Sequence, residues 1–213
     1  MSLTLDEALA KVPVIAILRG IEPHEAPSIG SALVDAGILA MEVTLNSPEP
    51  LGSVKALCQT LGGRAAIGVG TVLSEQEVRA SREAGAQFVV SPNVNPKVIA
   101  ASRDLGMVPL PGVATATEAF AAIDAGAISL KLFPAATYGP GHLKALRDVL
   151  PKSVKVFAVG GVGEQTISHW TEAGAAGFGI GGSLYRAGLS ANEVGEQARR
   201  LVAFFDGGMG APR

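Results

Sequence analysis

Aromatic residues make up only 5% of this 213-residue chain, one cysteine stands alone, and no block of lysine and arginine occurs. Each shortage closes a class of function. So few aromatics suit an aromatic binding platform less well than close approach of backbone to a ligand. With 17 Lys and Arg against 19 Asp and Glu, a net charge of −2 and a pI near 5.9, there is no electrostatic footprint for nucleic acid or an anionic membrane. Cys58 can form neither an intrachain disulfide nor a C-x-x-C zinc set, and in a helix-like stretch after Pro50 it reads as a small hydrophobe. His24, His142 and His169 are far apart and include no H-x-x-x-H pair, so no metal site is expected. Asp6, Glu7 and Pro13 interrupt the first segment, which lacks the basic start and the length of a secretion signal or membrane span; the cytoplasm is the expected location. A small molecule is left as the partner.

Glycine is what the chain has instead, at 27 residues, alongside 48% hydrophobic content. That composition suits one large core, expected over residues 1–206 as a single domain, with 207–213 a flexible tail. The tripeptide Asp/Glu-Ala-Gly recurs at Asp35 to Gly37, Glu83 to Gly85, Asp124 to Gly126 and Glu172 to Gly174, each time before an apolar run. Leu61-Gly62, Leu105-Gly106 and Leu150-Pro151 fall between, so helix endings recur about every 20 to 25 residues. Eight strands are predicted: 13–18, 39–45, 65–69, 87–90, 107–110, 127–133, 154–159 and 176–180. Capping boxes at Thr4/Glu7, Ser74/Glu77, Thr115/Glu118 and Ser190/Glu193 mark helix starts, the first before strand one. This even alternation predicts a single-domain α/β fold, the (β/α)8 TIM barrel with an N-terminal helix; an open doubly wound sheet is the competitor.

In such barrels chemistry gathers at the C-terminal ends of the strands. Lys131 stands alone in the apolar run from Ala127 to Pro134, near the end of the sixth strand. Alternation puts it on one face with Ser129 and Phe133, and Ile128, Leu130 and Leu132 on the other. An amine taken out of water loses its proton more readily and can then attack a carbonyl carbon. A lysine whose stem packs while its head reaches solvent is the structural alternative. Glu42 shares an inward face with Ala40 and Thr44 on strand two, opposite strand six in a ring of eight, so it and Lys131 can meet over one substrate. Lys155 opens strand seven at the floor, where a paired or solvated lysine is ordinary. Gly160-Gly161-Val162-Gly163 and Gly179-Ile180-Gly181-Gly182-Ser183 follow strands seven and eight, where barrels hold phosphate on bare backbone N–H groups. A G-x-G-x-x-G match begins at Gly177, but in the last strand-helix unit it is a weak nucleotide signal.

The segments MEVTLNSP from Met41, GVGTVL from Gly68, SPN from Ser91, PGVATATEAF from Pro111, LKLFPA from Leu130, AVGGV from Ala158 and GGSLYRAG from Gly181 together resemble one family. It is that of the class I 2-keto-3-deoxy-6-phosphogluconate and 6-phosphogalactonate aldolases, and the resemblance runs from Pro13 to Gly188. It implies Lys131 as the Schiff-base lysine and Glu42 as the general acid/base. It further implies Thr71 as a substrate-carboxylate contact, Gly161 and Ser183 as phosphate contacts and Arg19 as a substrate-binding arginine. With Pro92, Phe133, Val159, Gly160, Gly181 and Gly182, these make the expected substrate-binding set. The ligand implied is a phosphorylated keto-sugar acid, with no cofactor, and the assembly a homotrimer. Asn46 after E-V-T-L and Val159 before Gly-Gly differ from the Arg and Thr of gluconate-type members, and resemble the galactonate branch. The C4-epimeric gluconate aldolase or a dual-specificity enzyme, a non-covalent phosphosugar isomerase or synthase, and a non-catalytic sugar-phosphate sensor are the alternatives.

Overall fold

The computed structural model describes residues 2–207. The strands are β1 (Val14–Ile17), β2 (Ala40–Thr44), β3 (Ala66–Gly70), β4 (Phe88–Val90), β5 (Val108–Leu110), β6 (Gly112–Val113), β7 (Ser129–Leu132), β8 (Lys155–Val159) and β9 (Gly177–Ile180). All pairings among them are parallel, in the order β5-β4-β3-β2-β1-β9-β8-β7-β6. The two ends of that order are joined by a single residue, Pro111. Proline has no N–H to give to a ladder, and there the chain changes partner: β5 pairs with β4, β6 with β7. The Pro111 carbonyl accepts the Lys131 N–H at 2.9 Å. The ring is therefore closed by the chain itself, and the eight strands of the sequence pattern are present with the fifth bent into β5 and β6. An open doubly wound sheet is excluded.

Helices α1 (Leu5–Lys11), α2 (Ala26–Asp35), α3 (Pro50–Leu61), α4 (Glu75–Glu83), α5 (Pro96–Asp104), α6 (Ala116–Asp124), α7 (Ala135–Tyr138), α8 (Pro140–Val149), α9 (Ile167–Glu172) and α10 (Ala191–Asp206) separate or follow the strands. All four capping boxes form, at the starts of α1, α4, α6 and α10. The recurring Asp/Glu-Ala-Gly ends four helices on a glycine at positive φ, between 93° at Gly174 and 103° at Gly85, a conformation a β-carbon penalises. The tail expected from residue 207 lies, beyond Gly207, outside the described residues.

Alternation divides the core in two. Val14, Ala16, Met41, Val43, Leu130 and Leu132 face outward into the layer between sheet and helices, while Ile15, Ala40, Phe88, Leu110, Phe157 and Val159 face inward and fill the lumen. Each fully buried aliphatic or Phe side chain contributes about 1.5–3 kcal/mol. Leu5 and Ala8 of α1 join the lumen set, so this helix stops the floor, and Lys155 pairs there with Asp6 at 2.8 Å. One expectation is corrected: alternation puts Ile128 on the apolar face with Leu130 and Leu132, but β7 starts at Ser129, and Ile128 is 64% exposed. Its carbonyl still accepts the Lys155 N–H at 2.9 Å, so the backbone follows the ladder while the side chain projects from the rim.

Glycines make room inside the ring. On β3 a β-carbon at Gly68 would strike the Phe88 ring, and one at Gly70 would stand 2.6 Å from Glu42 Oε1. On β9 a β-carbon at Gly177 would come within 2.6 Å of Phe157, and one at Gly179 within 2.8 Å of Val159. The G-x-G at Gly177 is thus a packing device of a strand, not a dinucleotide fingerprint, and Gly179 belongs to it rather than to the following loop.

Candidate active site

Glu42 and Lys131 are the two buried groups with full charge potential in the lumen, 3% and 7% exposed. They come from β2 and β7, four steps apart in either direction round the ring when β5 and β6 are counted as the one bent strand. The carboxyl fits because Gly70, two residues beyond its register partner Gly68 on β3, has no side chain. The amine lies over the Phe133 ring, 4.4 Å from the centroid. Among the described residues the two groups form no ion pair within 4 Å with each other. Each nevertheless acts on the other. Burial pushes the Glu42 carboxyl above the usual carboxylate range, and the charges of Lys131 and Arg19 oppose that rise only in part. Burial likewise holds the Lys131 amine below the usual lysine range; Glu42 opposes the fall and Arg19 adds to it. Two groups whose environments draw their proton affinities toward each other are suited to exchanging protons near neutrality.

Both open into one cavity of about 920 Å³ at the C-terminal ends of the strands. Arg19, Phe133 and Val159 line it beside them, and Gly160, Gly161, Gly181, Gly182 and Ser183 line its far side. Gly160 and Gly161 stand at φ 96° and 75°, so their N–H groups carry no side-chain cover. The Gly181 turn is closed by the N–H groups of Leu184 and Tyr185, which donate to its carbonyl at 2.7 and 2.9 Å. With its amide turned so that nitrogen faces the chain, Gln197 of α10 donates to the Ser183 and Leu184 carbonyls at 3.0 and 2.9 Å. Three arginines line the cavity, Arg19, Arg186 and Arg200, whereas Glu164 is its one carboxylate besides Glu42. Arginine stays charged, so the site favours an anion with more than one negative group.

Thr71 and Pro92 do not line this cavity. It opens over β7, β8, β9 and β1, whereas these two residues follow β3 and β4 on the other side of Glu42. Pro92 packs its carbonyl against Gly112, where a β-carbon would collide. Thr71 holds φ 61°, a conformation that costs a β-branched residue about 1–3 kcal/mol and is found mostly at functional sites. Gly70, Asn46, Gln197 and Arg200 went unmarked as site residues in the sequence. Gly70 had a signal, a glycine two residues beyond another in a strand; the α10 residues had none, because only the return of the last helix over the barrel brings them in.

Gly70→Ala is expected to fold but to lower kcat/KM by roughly 10²-fold, since its methyl group must displace the Glu42 carboxyl and small misplacements of a reacting group cost that much. Steady-state kinetics with a thermal melt measure both; unchanged kinetics would remove Glu42 from the chemistry.

A closed parallel barrel whose buried acid and amine open into one cavity beneath an arginine-lined mouth defines the class: a (β/α)8 enzyme with its site at the C-terminal face of the strands. A family description, KDPG and KHG aldolase, matches residues 5–199. The 2-dehydro-3-deoxy-6-phosphogalactonate aldolase of Escherichia coli K12 is 47% identical over 192 residues, 90% of this chain and 94% of that protein. A solved structure described as native KDPGal superposes with a TM-score of 0.90 at 46% identity, covering 92% of this chain and 96% of that one. A Legionella pneumophila KDPG aldolase, solved with pyruvate captured at low pH as a covalent carbinolamine intermediate, superposes with a TM-score of 0.82 at 27% identity, covering 92% and 96%. The chain belongs to the KDPG and KHG aldolase family.

Proposed function

We propose that the protein is a class I aldolase, a carbon–carbon lyase that cleaves 2-dehydro-3-deoxy-6-phosphogalactonate to pyruvate and D-glyceraldehyde 3-phosphate. The observation that carries the reading is the buried Lys131 amine, held toward its neutral form and faced by the buried Glu42 carboxyl in one arginine-lined cavity. The neutral amine attacks the C2 ketone. Glu42 protonates the carbinolamine hydroxyl, which leaves as water, and the C2–nitrogen bond becomes an iminium. Glu42, now ionised, accepts the C4 hydroxyl proton; the C3–C4 bond breaks, and its electron pair passes to the iminium nitrogen, giving an enamine and free D-glyceraldehyde 3-phosphate. Protonation at C3 and hydrolysis release pyruvate and restore the amine.

Phe133 favours the charged intermediate over the neutral amine, because a ring face attracts the iminium by about 0.5–2 kcal/mol. Gly160, Gly161, Gly181, Gly182 and Ser183 receive the phosphate, with Arg186 and Arg200 on the same cavity wall. Binding the distal phosphate orients the reacting end. Arg19 and Thr71 serve the carboxylate end, with Pro92 beside them. Val159 and Asn46 support the galactonate over the gluconate C4 configuration, as does the likeness to the galactonate enzyme. A homotrimer in the cytoplasm, acting in galactonate breakdown, completes the proposal on family likeness alone.

Incubation with pyruvate and borohydride is expected to add one reduced pyruvate to Lys131, read by peptide mass spectrometry. Retro-aldol assays of the two C4 epimers side by side should favour the galactonate. Attachment at Lys155, or no adduct, would sink the covalent scheme; equal rates on both epimers would sink the substrate assignment alone.

A further inference from the structure

We propose that Asn46 is a positioning residue of the reaction: its side chain fixes the Arg19 guanidinium at the lip of the cavity, where the arginine's charge reaches both Glu42 and Lys131 in one defined arrangement. The inference rests on the aldolase reading above and goes beyond it in assigning work to a residue that does not line the cavity.

Arg19 lies two residues past the end of β1 and is exposed. An exposed arginine samples many rotamers, yet Nη1 of Arg19 donates to Oδ1 of Asn46 at 2.9 Å. The acceptor is itself held on both sides. The Leu45 N–H donates to the Gly70 carbonyl at 2.8 Å, and the Ser47 N–H to the Thr44 carbonyl at 2.9 Å. The Ser47 hydroxyl accepts the Gly20 N–H at 2.8 Å and lies 3.1 Å from the buried Thr44 hydroxyl. The Leu18 N–H donates to the Glu42 carbonyl at 2.9 Å. The loops leaving β1 and β2 are thereby strapped together, and the Arg19–Asn46 bond is their one side-chain to side-chain link at the lip among the hydrogen bonds of the described residues.

The effect of the strap is electrostatic. Arg19 favours the ionised carboxyl of Glu42 and the neutral amine of Lys131, so it lowers the proton affinity of both. That field depends on where the guanidinium sits. The other charged or titratable groups around the pair are Glu164 after β8, Tyr185 and Arg186 after β9, and Arg200 of α10; none of these is bonded to Asn46.

Three variants and one combination test the assignment: Asn46→Ala, Asn46→Asp, Arg19→Met, and Arg19→Met with Asn46→Ala. Releasing the guanidinium in Asn46→Ala should lower kcat/KM by roughly 3- to 10-fold and move both limbs of its pH profile to higher pH. Asn46→Asp keeps an acceptor for the guanidinium but cancels its charge, so the profile should move the same way at least as far. Asn46→Ala should add no displacement in the Arg19→Met background, because non-additivity is the mark of a residue acting through another. A merely structural loop residue would lower activity without moving the profile. A profile for Asn46→Ala that coincides with the wild type, or an undiminished displacement without Arg19, overturns the inference. Wild-type turnover tests the aldolase reading beneath it. Should that fail, NMR titration of the Glu42 carboxyl in the same proteins still reads the displacement, upward on loss of the strap and unchanged if Asn46 has no such role.

Discussion

Lys131→Met is expected to abolish retro-aldol turnover, by roughly 10⁴-fold or more, because the covalent route loses its only nucleophile rather than one stabilising contact. The fold should survive. Lys131 occupies an inward position of β7 beside Phe133, 7% exposed, and an unbranched thioether of similar length fills that space. Steady-state kinetics, borohydride trapping and a thermal melt give the three readings. Turnover within about tenfold of the wild type would remove Lys131 from the chemistry, whereas activity surviving Lys131→Arg would mean that the lysine acts as an electrophile, as in a non-covalent isomerase or synthase. Tight sugar-phosphate binding by the wild type with no turnover would point instead to a sensor.

The second large effect is on stability. Glu42 has its folded-state proton affinity raised, so its contribution is favourable below the ordinary carboxylate range and is lost as pH rises through the folded value. Lys131 has its own lowered, so its contribution is favourable above the ordinary lysine range and is lost as pH falls toward the folded value. At neutral pH both groups therefore stand where they cost stability. Replacing the two together, Glu42→Gln with Lys131→Met, should raise neutral-pH stability by about 1–4 kcal/mol, as for buried charge pairs exchanged for neutral groups of similar size. It should also flatten the dependence of Tm on pH, while either single change leaves one buried charge without its counterpart and gains less. Denaturant melts across pH decide it. A double variant less stable than the wild type would mean that the two charges stabilise the fold, and the catalytic reading would lose its physical motive.

Much of this was legible in the chain. Lys131 announced itself because an amine in an apolar strand violates the local pattern, and Glu42 followed from alternation and from the count of strands round a ring. The helix endings at Gly37, Gly85, Gly126 and Gly174, and all four capping boxes, were readable because glycine at positive φ and Ser or Thr before Glu obey local rules. What local rules cannot carry is which neighbour a residue meets. The bend at Pro111 depends on two different partner strands. Gly179 looked like part of a phosphate loop because its role is set by Val159 on the next strand. Thr71 and Pro92 follow the C-terminal ends of β3 and β4, but the cavity opens away from them, over the loops after β8 and β9 and toward α10. That direction is fixed by how the last helix returns over the mouth.

The helix that precedes β1 gives the well a blind end. Leu5 and Ala8 close it from beneath, and Asp6 pins that stopper to Lys155. Water can then approach the amine from one side only, and the dryness that makes Lys131 a nucleophile is guarded as much from below as from above. Residues at the far pole from the reaction are in this sense part of its solvent.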